Sequence, residues 1–369
     1  MKILLVSLAR RGGMVHYFID HANSLSAIAE VYAITSADLS VGALNPKIKH
    51  FLVNTGKKKI GTLLNAFNPR IYSQLISIVS SIKPDLVHIT APHEWNPFVA
   101  WVIRKYLKLP LVYTVFDPTP HEGTALYLVI PELAVRKIPD AYIVQTPRLK
   151  QDLVSKGFSD QKTHVIQLGA YSSVTRWKQE NIPRKNEILF FGRIDFYKGL
   201  DILLKAAPLI FDALPDWKIT IAGHGKIKPY RDLITADRIK VINRFIEDQE
   251  AAVLFQRAKL VVLPYRSATS TGVIPLAYAF ATPVIASDVG GLGALVDHGQ
   301  TGLLIPPNDP ELLAQAIVSV AKDEVYRQQL GENALAYSKV KLNWRSFAAA
   351  HLNVYREVLA DFPTPKQFS

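Results

Sequence analysis

The chain has 369 residues, 49% apolar and 20% charged, which excludes a disordered chain and, at this length, favours two domains over one core. It has no cysteine, ruling out disulfides and thiolate metal sites, and no apolar run near the ~18 residues that a membrane span needs. The net charge of +12 is uneven: residues 1–170 hold 19 Lys/Arg against 11 Asp/Glu, and the remainder 24 against 20. That excess favours anionic partners (nucleic acid, phosphorylated small molecules or an acidic membrane surface), although a solvated surface explains charge alone equally well.

The first strand is expected near 2–7 and runs into Arg10-Arg11-Gly12-Gly13. This start carries a basic residue and a short apolar run but no longer apolar region and no small-residue cleavage site, so a cytoplasmic location is expected. Further strands are expected near 30–34, 85–90, 110–115, 141–145 and 164–168. A second series begins at Glu187–Gly192 and continues near 217–222, 238–242, 259–263, 283–286 and 303–305. Short apolar strands alternating with longer helical stretches predict an α/β protein with mainly parallel sheets. Between the two series, Tyr171 to Asn186 is polar and aperiodic and reads as a hinge. A helix from about Trp344 to Leu359 either finishes the second domain or crosses back to the first. The preferred division is 1–172 and 173–343, with 344–369 packing back on the first domain. Phe98 to Lys108 reads as a helix with Trp101 and Val102 near Arg104, Lys105 and Lys108. With Lys57-Lys58-Lys59 it would let the first domain dock on an anionic membrane; otherwise it is an ordinary helix with its apolar side in the core.

Several loops after strands carry candidate chemistry. Gly12 and Gly13 permit close backbone approach to a ligand, but no Gly-x-Gly-x-x-Gly is present. Asp117, His121 and Glu122 lie in a Pro-rich loop and could do acid/base work or bind sugar hydroxyls. Phe191-Gly192-Arg193 ends a strand and Lys198-Gly199 opens a helix. In open α/β sheets ligands gather beyond strand carboxyl ends, and a planar and a point-like cation placed there suit a diphosphate. Gly223 and Gly225 flank His224 after another strand; a tight turn explains them equally well. In Ser270-Thr271-Gly272-Val273-Ile274-Pro275 the proline belongs in a first helical turn. The helix should therefore start no earlier than about Thr271, offering amides and the positive dipole end to a phosphate, unless Ser270 or Thr271 is simply its cap.

Taken in order, these pieces resemble the family 4 retaining glycosyltransferases of GT-B fold, over nearly the whole chain. The further matches are Pro84-Asp85-Leu86-Val87-His88, Thr282 to Gly291 and Asp297 to Pro307. The resemblance implies two Rossmann-like, doubly wound domains facing across a cleft. The first would bind the acceptor and the second a nucleotide-sugar donor. It implies that Arg193 and Lys198 hold the donor diphosphate, helped by the amides after Ser270 (Thr271, Gly272, Val273 and Ile274), and that Ser270, Thr271, Gly272, Val273, Gly223 and Gly225 belong to the donor site. Gly12 and Gly13 would close on the donor from the other domain, and His121 would sit near the transferred sugar. The implied activity is transfer of a hexose to a hydroxyl acceptor, in surface polysaccharide or glycolipid synthesis. The acceptor could be lipid-linked, with the enzyme peripheral on the inner face of the membrane. No Asp-x-Asp is present, so neither a metal nor another cofactor is expected. The sequence departs from the family at the two glutamates near the sugar and the ribose, whose places hold Ala268 and Leu276. Two rivals remain: an epimerase on the same fold, which would need more carboxylates than Asp117 and Glu122, and an inactive binding relative. Nucleic acid is not an expected partner, because no stacking motif accompanies the charge.

Overall fold

The computed structural model describes residues 1–10, 12–37, 44–56, 62, 65, 68–116, 134–135, 137–235 and 237–363. These form two compact units, one running to Leu168 and including the helix Trp344–Asp361, the other spanning Gly169–Asn343.

The first unit is built on seven parallel strands. They are β1 (Lys2–Ser7), β2 (Glu30–Ser36), β3 (Lys49–Val53), β4 (Leu86–Ile89), β5 (Leu111–Thr114), β6 (Ala141–Val144) and β7 (Thr163–Val165), in the order β3-β2-β1-β4-β5-β6-β7. Central strands buried on both faces are continuously apolar, as in Ile3–Val6. Strand β3 escapes sequence reading because it is an edge: Lys49 and Leu52 are exposed and His50 and Phe51 half-buried, leaving no apolar run.

The second unit has six parallel strands. They are β8 (Lys185–Phe191), β9 (Lys218–Ala222), β10 (Ile239–Ile242), β11 (Ala258–Leu263), β12 (Val284–Ser287) and β13 (Gly302–Ile305), in the order β10-β9-β8-β11-β12-β13. In both sheets the winding reverses beside the first strand, between β1 and β4 and between β8 and β11. In doubly wound sheets those are the places where ligands lie, outside the strand carboxyl ends.

The polar stretch Tyr171 to Asn186 is tied into the second unit. It holds a short helix, Ser172–Thr175. The Gln179 amide donates to Gln256 Oε1 (3.0 Å) while Gln256 Nε2 donates back to the Gln179 carbonyl (2.7 Å). The Arg184 guanidinium donates to the carbonyls of Phe255, Ala258, Phe280 and Ala281, closing the ends of the helices Asp248–Arg257 and Val273–Ala279.

The helix Trp344–Asp361 packs on the helix Gly13–Leu25 of the first unit, burying Phe347, Leu352, Tyr355 and Val358. At this junction three histidines, His21, His88 and His351, are fully buried together. The His88 ring bonds to the Tyr355 hydroxyl (2.6 Å) through Nδ1 and to the Thr114 hydroxyl (2.7 Å) through Nε2; His351 Nδ1 donates to the Phe347 carbonyl (2.9 Å). Among the described residues this is the one grouping of metal-ligand type, each ring offering a nitrogen within 4.8 Å of the others. A metal would displace the hydrogen bonds that already hold His88.

The segment Phe98 to Lys108 is part α-helix, Asn96–Trp101, and part π-turn, Val102–Tyr106. Val99, Ala100, Val102 and Ile103 face the core, whereas Phe98, Trp101 and Tyr106 are 51%, 54% and 61% exposed. Arg104 turns to Asp140, its Nε 3.0 Å from Oδ1.

Candidate active site

In the second unit, β8 delivers Gly192 and Arg193 to the reversal point, and β11 delivers Pro264 to Arg266 beside them. The link is Gly199, whose φ of +65° and close approach to the Pro264 carbonyl leave no room for a Cβ. Between them, Phe196–Lys198 forms one 3-10 turn, capped by Asp195 accepting from the Phe196 amide (2.9 Å). Arg266 clamps this turn. Its guanidinium binds both oxygens of Asp201 (2.8 and 2.7 Å), donates to the Phe196 carbonyl (3.0 Å) and lies over the Phe196 ring. Burial alone would raise the Asp201 carboxyl, but hydrogen bonds and charge from Arg266, aided by Lys205, hold it below the usual range.

The clamp leaves two cations displayed. Arg193 is exposed and donates to the Tyr197 hydroxyl (3.3 Å). The Lys198 ammonium lies 3.7 Å from the centre of the Tyr265 ring and 5.0 Å from that of Tyr197. Among the described residues neither cation has a carboxylate within ion-pair distance. Desolvation and the neighbouring Arg193 charge push Lys198 down to about 7, with Asp195 working weakly the other way.

Gly223 and Gly225 are explained by packing. Gly223 abuts the Gly192 carbonyl and Gly225 the Ile194 carbonyl, where no side chain fits. The Ile194 amide donates to the His224 carbonyl (2.9 Å), so the loops after β8 and β9 are knitted through backbone.

The helix Val273–Ala279 starts two residues later than Thr271, with Pro275 in its first turn. Val273 lies against Gly192, which brings the helix start beside the Arg193 loop. The Thr271 hydroxyl takes the Val273 amide (3.2 Å), so of the four amides offered to a phosphate by sequence, one is already engaged. Gly272 packs against the Tyr171 ring, which leaves no space for a Cβ. Ala268 and Leu276 are both buried in the apolar cluster that holds Tyr265, Ile274 and Ala277. Gly290, at φ +56°, rests on the Ala268 carbonyl. The two places that carry family glutamates are therefore core positions in this chain.

In the first unit, Gly12 precedes the helix Gly13–Leu25 at φ +82° with open space where a Cβ would lie. Arg11, Lys57, Lys58, Lys59, Asp117, His121 and Glu122 fall outside the described residues. Sequence reading missed Tyr265, Arg266 and Asp201. Tyr265 and Arg266 follow Pro264 beyond the end of β11, a strand that ends at the reversal point, whereas nothing local marks Asp201 as the partner of Arg266.

Residues 8–171 match Glycosyltransferase Family 4, and residues 185–323 match Glycosyl transferases group 1. The D-inositol 3-phosphate glycosyltransferase of Corynebacterium glutamicum (strain R) is 27% identical over 340 residues, covering 83% of this chain and 79% of that protein. Among solved structures, sucrose-phosphate synthase from Thermosynechococcus elongatus is 21% identical with a TM-score of 0.75, covering 98% of this chain and 99% of that one. HepE of Anabaena, in complex with UDP and glucose, is 19% identical with a TM-score of 0.75, covering 97% of this chain and all (100%) of the other. The two parallel sheets are thus those of the GT-B fold.

Proposed function

Because the chain belongs to the group 1, family 4 glycosyltransferases, we propose that it moves a hexose from a nucleoside-diphosphate sugar to a hydroxyl acceptor with retention at the anomeric carbon. The observation that carries this reading is the pair Arg193 and Lys198, displayed without carboxylate partners where the second sheet reverses, beside the start of the helix Val273–Ala279. The costly part of such a transfer is the negative charge that builds on the departing diphosphate. The carbon–oxygen bond to the diphosphate breaks with its electron pair on the phosphate oxygen. The acceptor oxygen bonds to the anomeric carbon on the same face, and its proton passes to the diphosphate. Fixed cations and amide dipoles stabilise that charge without reorganising. Arg193 and Lys198 supply the charge, so the reading calls for no metal ion. Ser270 to Val273, Gly223 and Gly225 belong to the same donor site in this reading, and Gly12, Gly13 and His121 keep the donor and sugar roles that the resemblance assigns them. With Ala268 and Leu276 apolar, the hydroxyls of Thr269, Ser270 or Thr271 replace the family's glutamate contacts in this reading.

The exposed aromatics Phe98, Trp101 and Tyr106, next to Lys105 and Lys108, favour a lipid-linked acceptor reached by docking on an anionic membrane. No described helix is long and apolar enough to cross a membrane.

A thermal-shift titration with a panel of nucleoside diphosphates tests the donor site. One of them at a hundred times its dissociation constant should stabilise the protein by ~2.7 kcal/mol. Since Lys198 titrates at about 7 in the free protein and must be protonated to hold the anion, that affinity should fall as pH rises above 7, by up to about tenfold per unit. Lys198→Arg should flatten the decline. A panel without any stabiliser, or an affinity constant from pH 7 to 9, removes Lys198 from the site.

A further inference from the structure

The loop that follows β11 lies against the loop that follows β8, where the second sheet reverses its winding. Two consecutive residues of it hold the turn Phe196–Lys198 in different ways. Arg266 holds the backbone: its amide donates to the Tyr197 carbonyl (2.8 Å) and its guanidinium to the Phe196 carbonyl (3.0 Å). Tyr265 holds the charge. The Lys198 ammonium stands 3.7 Å from the centre of its ring, well inside the ~6 Å reach of a cation–π contact. The Tyr197 ring is a second aromatic neighbour, at 5.0 Å.

The Tyr265 side chain is 1% exposed and packed in the apolar cluster with Ile274 and Ala277, so its ring face is fixed. Burial pushes its phenol well above the ordinary tyrosine value, with Thr271 working the other way, so the ring stays neutral while Lys198 titrates. The charged groups that act on Lys198 are Arg193 and Asp195, both on its own loop. From Pro264 to Gly272 the loop after β11 holds no Asp or Glu, and the helix Val273–Ala279 brings no charged residue. A carboxylate in the place of the ring would cancel the ammonium charge and repel an arriving diphosphate. A ring face stabilises the ammonium through its quadrupole and adds no net charge.

We propose that Tyr265 is a positioning residue of the donor site, its ring face seating the Lys198 ammonium in the place of a carboxylate. The inference rests on the reading of this loop as the diphosphate site. Burial and the Arg193 charge draw the Lys198 proton off at lower pH, and the ring opposes them. Weakening the quadrupole of the ring therefore lowers the pH at which Lys198 is discharged, and diphosphate affinity falls with it. Fluorine atoms on the ring withdraw electron density from its face and change its size little, which separates this effect from packing.

The test compares, in the full chain, Tyr265→Phe with versions of it whose phenylalanine ring carries one, two or three fluorines. NMR of isotope-labelled lysine Cε follows the titration, and the signal absent from Lys198→Arg is that of Lys198. Calorimetry with UDP, GDP and ADP across the same pH range gives the diphosphate affinity, and a melting curve shows that each variant is folded. The Lys198 midpoint should fall stepwise along the series, by about half a pH unit at its end, which is about a threefold loss of ammonium at pH 8. The diphosphate affinity at pH 8 should fall by the same factor. Should Tyr265→Phe fail to fold, ring-fluorinated tyrosines carry the same measurement. A midpoint that stays constant along the series in folded protein overturns the proposal, and so does one that moves while the affinity does not. A midpoint that moves in a protein that binds none of the three diphosphates overturns the transferase reading and leaves the seating of Lys198 on the ring standing.

Discussion

Arg193→Ala and Lys198→Ala should each slow transfer by roughly 30- to 1,000-fold, a rise of about 2–4 kcal/mol in the barrier, while the protein stays folded. Each removes a charge-assisted contact that strengthens as the diphosphate departs. Neither removal leaves a buried partner stranded. Arg193 is exposed and touches only the Tyr197 hydroxyl by hydrogen bond, and Lys198 rests on the Tyr265 ring with no carboxylate of its own. The turn that carries them is held by Arg266 and Asp201, which both variants keep. Loss of Lys198 also relieves its repulsion with Arg193, so the melting temperature should not fall. Steady-state kcat/KM with a melting curve for each variant checks this. Near-normal turnover in both, with unchanged melting, would remove the site from this loop.

The first unit should lose stability steeply below pH 6.5. His21, His88 and His351 are fully buried, and burial holds all three below the ordinary histidine value, His351 at about 3. In the folded unit they are neutral, whereas the unfolded chain takes up protons near 6.5. The sign follows: the contribution is complete above 6.5 and drains away as pH falls from there toward the folded values. Three protons approach a slope of about 4 kcal/mol per pH unit, against a total stability of about 5–15 kcal/mol for a typical domain. The helix Trp344–Asp361, docked on these rings, should detach with them. Urea titrations at pH 7, 6 and 5 check it, and His351→Leu should lower the slope by about a third. A midpoint that does not move between pH 7 and 5 contradicts the neutral-histidine account.

Much of the architecture is legible in the sequence because doubly wound parallel sheets bury both faces of their central strands, so Ile3–Val6 or Leu260–Leu263 announce themselves as apolar runs. The edge strand Lys49–Val53 does not, since only Val53 is fully buried. The cations Arg193 and Lys198 could be placed because they follow a strand end, a position that carries meaning in this fold. Their support could not. The Arg266–Asp201 clamp joins residues 65 apart in sequence, and nothing local marks it. Ala222-Gly223-His224-Gly225 reads in sequence as a ligand loop and as a tight turn equally well. Its glycines are already required by the carbonyls of Gly192 and Ile194, so close packing of two loops and close approach of a phosphate leave the same trace in sequence. The buried histidines were invisible as a group because they come from two helices and a strand spread over more than 300 residues.

Donor turnover followed by proton NMR is the most direct test of the central claim. The protein is incubated with the nucleotide sugar whose diphosphate stabilises it, alone and with a panel of hydroxyl acceptors. The account predicts that the donor is consumed and free nucleoside diphosphate accumulates. The glycosidic product should carry the donor's anomeric configuration, and Arg193→Ala should be at least thirtyfold slower. A donor that binds and is never consumed with any acceptor, or that returns with an inverted ring carbon and its diphosphate still attached, would contradict it.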